Sequence, residues 1–82
     1  MLFCFPFFER HAFTLERTAI PLDVIFCQCI SAHDAIVLAV ATVPAYWPDP
    51  IAIDAPCDLV IELGENQARA SGIVAGTHLR LE

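Results

Sequence analysis

Six prolines, at positions 6, 21, 44, 48, 50 and 56, cut an 82-residue chain that is 57% hydrophobic into short apolar runs. Each proline fixes φ and removes a backbone N–H, so neither a long helix nor a central strand passes through one without a fault. The longest apolar run, Ala35–Ala41, ends at Thr42 and Pro44, far short of the ~20 residues that carry a helix across a bilayer core. A chain of this length is a single domain, residues 1–82, and buries only roughly 60% of the surface it exposes when unfolded. With 17% charged residues it is too apolar for disorder, so either its core is dense or part of that core faces a partner.

Period and punctuation divide the chain into short elements. Leu2–Phe5 reads as a strand halted by Pro6, and Phe7–Thr18, with His11, Phe13 and Leu15, as an irregular arm. Leu22–Ile30, rich in β-branched and aromatic residues, is expected as a strand between a proline turn and the turn Ser31-Ala32-His33-Asp34. Ser31 and Asp34 also resemble a helix capping box. Against a helix, the odd positions after them (Ala35, Val37, Ala39, Ala41) are smaller than the even ones (Ile36, Leu38, Val40), which predicts a strand over Ala35–Val43 covered on both faces.

From Val43 to Pro56 the prolines enforce a long loop around Tyr46 and Trp47. A strand over Asp58–Leu63, a short helix over Glu65–Ser71 ended by Gly72, a turn at Gly76 and a last strand over His78–Leu81 complete the chain. Four or five strands and one short helix near the C-terminus predict a mainly β fold, a small antiparallel barrel or sandwich.

Charge narrows the partners. Ten acidic residues face four arginines and no lysine, a formal net charge of −6, and the arginines (10, 17, 69, 80) are dispersed, which excludes a nucleic-acid surface. The opening MLFCFPFFERH has no basic region before its apolar stretch and no small-residue cleavage site after it. As written, the chain is expected in the cytoplasm, with its four cysteines as reduced thiols.

The opening MLFCF, Phe13 and Thr18 followed by IPLDVIF, the proline-rich loop, LVIEL, and the spaced Gly72-Ile73, Gly76 and Leu79 together resemble the domain of unknown function 192 family of bacterial and archaeal proteins. The resemblance spans essentially the whole chain, and IPLD with its apolar continuation is the most specific part. It implies a compact, mainly β domain that is frequently exported behind a signal sequence, and it implies no activity. Thr14 and Leu15 stand where family members carry an aromatic residue and a methionine. The family domain also begins upstream of the Met-Leu-Phe, so an upstream part is expected to be lacking. An export signal would then lie outside this chain, and an uncovered strand edge or core face would favour homo-oligomers.

The sharpest candidate is Asp23, at the mouth of a strand after Pro21-Leu22. A carboxylate there accepts hydrogen bonds from turn amides. The functional reading pairs it with Thr18, and with Arg17 or His11, around a small polar pocket. Tyr46 and Trp47 offer a stacking platform for a sugar ring or peptide, or else fold back as a lid on the core. No phosphate loop, nucleophile elbow or paired acid–base carboxylates appear, Glu62 and Glu65 being separated by Gly64, so no cofactor is expected.

His11, His33 and His78 have no ligand spacing. The expected function is a non-enzymatic module that binds a small ligand or a protein through Thr18, Asp23, Tyr46 and Trp47. The alternatives are a thiolate metal site from Cys27, Cys29 and one or two of Cys4, Cys57 and His33, and a fragment without independent function.

Overall fold

The computed structural model describes residues 2–9, 12, 14–53 and 56–81, the stretch 2–9 as backbone. Among these residues five strands, β1 (Leu2–Glu9), β2 (Leu22–Ser31), β3 (Asp34–Val43), β4 (Cys57–Gly64) and β5 (His78–Arg80), form one sheet in the order β1-β4-β2-β3-β5, with one helical turn, α1 (Gln67–Ala70), before β5. Every neighbouring pair is antiparallel. The mainly β expectation therefore holds, as one open antiparallel sheet whose outer strands are β1 and β5. Among the described residues no helix is long and apolar enough to cross a membrane.

The first strand corrects the expectation that Pro6 would halt it, for β1 runs on to Glu9. A proline is tolerated in an outer strand because a missing N–H there need not break a ladder, and the register against β4 shifts between Cys4 and Glu9.

The central strand β2 is buried on both faces without interruption from Leu22 to Cys27. Such a strand reads as a continuous apolar run rather than an alternation, and Asp23 is the polar exception in it. Leu22, Val24 and Phe26 pack with Val43, Val60 and Cys57 in one cluster, roofed by Leu15 and by Ile51 of the proline-rich loop. Ile25 and Cys27 pack with Ala35, Val37 and Leu59 in the other, against Ala68 of α1, with Ile73, Leu79 and Leu81 at its margin. A fully buried side chain of this size contributes ~1.5–3 kcal/mol, so a small domain gains by using both sides of its central strand.

A β-bulge reorganises β3. Phe26 of β2 pairs with Ala39 while Cys27 pairs with Val37, which leaves Leu38 as the extra residue. One added residue reverses which side of the sheet every later residue faces. Ala35 and Val37 accordingly lie in the second cluster, whereas Ala39 and Ala41 pack on the first, so the expected stripe of four small residues on one face is split. Past the bulge, Thr42 comes opposite Asp23. At the other end of the strand a two-residue turn, Ala32-His33, joins β2 to β3, with Ser31 Oγ donating to Asp34 at 2.7 Å.

The C-terminal segment is fixed by its glycines. Gly72 (φ 73°) donates to the Arg69 carbonyl at 3.0 Å and Ile73 to the Ala68 carbonyl at 2.8 Å, the paired bonds of a Schellman motif, with Ile73 packed against the cluster that holds Ala68. Gly76 (φ 89°) then donates to the Val37 carbonyl, and Val37 returns a bond to the Thr77 carbonyl. These two bonds start the pairing of β3 with β5 beside the bulge.

Candidate functional site

Asp23 is 1% exposed, and each of its carboxylate oxygens accepts a hydrogen bond. Thr42 donates its hydroxyl to Oδ1 at 2.9 Å, and the Ala68 N–H donates to Oδ2 at 3.0 Å. The Asn66 N–H is a further donor. A helix of one turn has no carbonyls to receive its leading N–H groups, and Asn66, which precedes it in the left-handed region at φ 65°, supplies no side-chain cap. The carboxylate of a distant strand takes that capping role. Burial pushes the carboxyl up, but the bonds from Asn66, Thr42 and Ala68 outweigh it and hold the group below the ordinary aspartate range.

Above this buried cap lies an open groove of about 540 Å³. One wall is β3 from Leu38 to Thr42, the other is Ile73–Ala75, and Asn66 and Arg69 line it from the α1 side. Arg69 is exposed, and no carboxylate among the described residues pairs with it. The groove thus combines an apolar lining, a carboxylate already satisfied and one available guanidinium.

Of the four expected ligand residues, Thr18 and Tyr46 meet through their backbones, whereas Asp23 is held by Thr42 and Ala68. Thr18 acts through its backbone, its carbonyl accepting from the Tyr46 N–H at 2.8 Å and its N–H donating to the Leu15 carbonyl at 2.9 Å. Thr18 is therefore tied to the proline-rich loop, and Asp23 takes its hydroxyl partner from Thr42 instead. Tyr46 is 61% exposed with φ 55°, and Trp47 is 39% exposed beside a smaller groove of about 320 Å³ lined also by Thr42, Pro44, Pro50 and Ile51. Ile51, at 7% exposure, closes the core where an aromatic lid was the other expectation. Arg17 is exposed, and His11 lies outside the described residues.

Among the described residues no group of three His, Cys, Asp or Glu side chains is placed to hold a metal, so Cys27, Cys29 and Cys57 do not come together as a thiolate site. Cys27 packs in one core cluster and Cys57 in the other. Burial pushes the Cys27 thiol up to about 12, with the neighbouring Cys29, Cys57 and Asp58 adding to it. A ligating thiol must ionise, and this environment opposes that. Asp58 instead accepts the Cys29 N–H at 2.7 Å. His33 is exposed in the β2–β3 turn, and Cys4 lies in the stretch described as backbone.

The family model for domain of unknown function 192 (DUF192), described as "Uncharacterized ACR", matches residues 1–81. The chain belongs to the DUF192 family. Its IPLD segment is thereby placed structurally, as the strand entry whose aspartate caps α1. No curated protein matches the chain, and no solved structure matches it.

The residues that sequence reasoning passed over are Thr42, Asn66 and Arg69. Thr42 and Asp23 are 19 positions apart, and only the bulge puts them face to face. For Arg69 a signal was present: a lone arginine in the last turn before a glycine stop sits on a surface, beside whatever the helix packs on.

Proposed function

We propose that this DUF192 domain is a non-enzymatic binding module, and that it takes its ligand in the groove between β3 and the segment Ile73–Ala75. The observation that carries this reading is Arg69, a guanidinium with no acidic partner among the described residues, at the rim of an open apolar groove. Functional sites of small ligands are concave and mostly apolar with a few placed polar groups, and this groove has that composition. The buried Asp23 supports it from beneath, because its bond from the Ala68 N–H ties α1, which carries Arg69, to the sheet.

The smaller groove beside Trp47 supports a second reading, in which the proline-rich loop forms an extension of the same surface, Thr42 lining both hollows.

The test is amide-resolved NMR on the isotope-labelled chain with mixtures of small organic acids, sugars and aromatic compounds at millimolar concentration. The expected outcome is a compound that moves the amides of Asn66, Arg69 and Val74. Shifts confined to Trp47 and its neighbours would transfer the site to the smaller groove, and a spectrum that no compound moves would refute the module.

A further inference from the structure

The edge of β3 facing away from β2 is used unevenly. From Asp34 to Ile36 it pairs with β5, and at Val37 it exchanges bonds with Gly76 and Thr77. From Leu38 to Val43 no strand among the described residues covers it. A row of open N–H and C=O groups is a template for an added strand, and apolar residues of β3 and of Ile73–Ala75 flank this one as groove walls.

We infer, on the basis of the binding reading above, that the groove receives the C-terminal tail of a partner protein as an added β-strand, its terminal carboxylate bound by Arg69. Three observations argue for this occupant. The open edge selects an extended backbone over a compact molecule. A strand added in the antiparallel sense of every pair in this sheet runs toward Val37, where Gly76 and Thr77 already hold the edge, and a chain that stops there stops at its carboxyl terminus.

The third observation is charge. Arg69 is the groove's exposed ionic group, Asp23 being buried beneath its own hydrogen-bond donors. A second copy of this chain is a poorer occupant, because each copy carries a net charge of −6.

The experiment titrates the isotope-labelled full chain with the peptide acetyl-Thr-Val-Thr-Val-Thr-Leu in three forms, the free acid, the C-terminal amide and the free acid with alternate backbone nitrogens methylated. The free acid is also titrated against Arg69→Gln. Succinate and dilution of the protein alone serve as separate arms.

The expected result is that the free acid moves the amides of Leu38–Val43 and of Val74–Thr77. Amidation and Arg69→Gln should each weaken binding roughly tenfold, the scale of one lost charge-assisted hydrogen bond, and backbone methylation should abolish it. Arg69 is exposed, so the variant should unfold at the wild-type temperature. Equal binding of acid and amide would overturn the inference. Shifts with succinate but none with peptide would overturn it while leaving the binding module standing. Shifts of the edge amides on concentrating the protein alone would assign the edge to a second copy, and a spectrum unmoved by every probe would remove both readings.

Discussion

Replacing Asp23 by asparagine changes one atom's chemistry and keeps its shape. In the wild type one oxygen receives the Thr42 hydroxyl and the other an α1 amide, with Asn66 adding a further donor. An asparagine can turn its oxygen toward the α1 amides and its NH2 toward the Thr42 oxygen, so the bonds survive without their charge. Charge-assisted bonds are about twice as strong as neutral ones, and ~1.5–3 kcal/mol each. Halving two such bonds, partly offset by cheaper burial of an amide, gives a loss of ~1–3 kcal/mol. Asp23→Ala leaves the N–H groups unsatisfied and should cost ~3–5 kcal/mol.

A domain of this size has ~4–12 kcal/mol of stability in all, so either loss is large. The assay is urea unfolding of wild type and Asp23→Asn across pH. The folded carboxyl titrates below its unfolded value, so its contribution is fully present above about pH 4 and is lost as pH falls through that value and toward the lower folded one. The gap between wild type and variant should therefore be widest near neutrality and close in acid. A gap below about 0.5 kcal/mol at neutral pH, or one that stays constant on acidification, would refute the capping argument.

Gly72→Ala meets nothing within 4 Å of the new Cβ but sits at φ +73°, so the whole effect is backbone strain, ~1–2 kcal/mol, read as a fall of about 4–16 °C in Tm. Ile51→Ala should cost ~2–5 kcal/mol because Ile51 closes the core, whereas Trp47→Ala should cost under about 1 kcal/mol; equal losses in chemical denaturation would restore the aromatic lid. Cys27, fully buried with its thiol pushed up to about 12, should resist iodoacetamide at neutral pH until the chain unfolds, and mass spectrometry showing it modified in the native state at a free-thiol rate would contradict the packing.

What the sequence discloses and what it withholds follow from the range of the forces involved. The strands β2 and β4 and the stop at Gly72 are visible because their signals are local: β-branched runs, a proline turn, a glycine after a helix former. The continuation of β1 past Pro6 is not, since whether a proline is tolerated depends on its place in the sheet, and strand order is a property of the whole chain. Nor is the partner of Asp23. Proximity in sequence favours Thr18, five positions away, and the actual donors are Thr42, Asn66 and Ala68. A carboxylate inside an otherwise apolar strand announces that something must satisfy it, without saying what.

The bulge at Leu38 is where these separate features become one device. It splits the small residues of β3 between both cores, so each face receives residues that let an adjacent layer approach: Ala35 beneath Ala68 on one side, Ala39 and Ala41 against the proline-rich loop's side on the other. The same inserted residue turns Thr42 toward Asp23, and Asp23 anchors α1. It also marks the point where the C-terminal segment stops covering the edge of β3, because Val37, the last residue before it, makes the final bonds, accepting from the Gly76 N–H and donating to the Thr77 carbonyl. Core packing, the buried cap and the open groove thus change together at a single residue. The candidate site lies beside this bulge, as expected when bulges terminate pairing beside a functional surface.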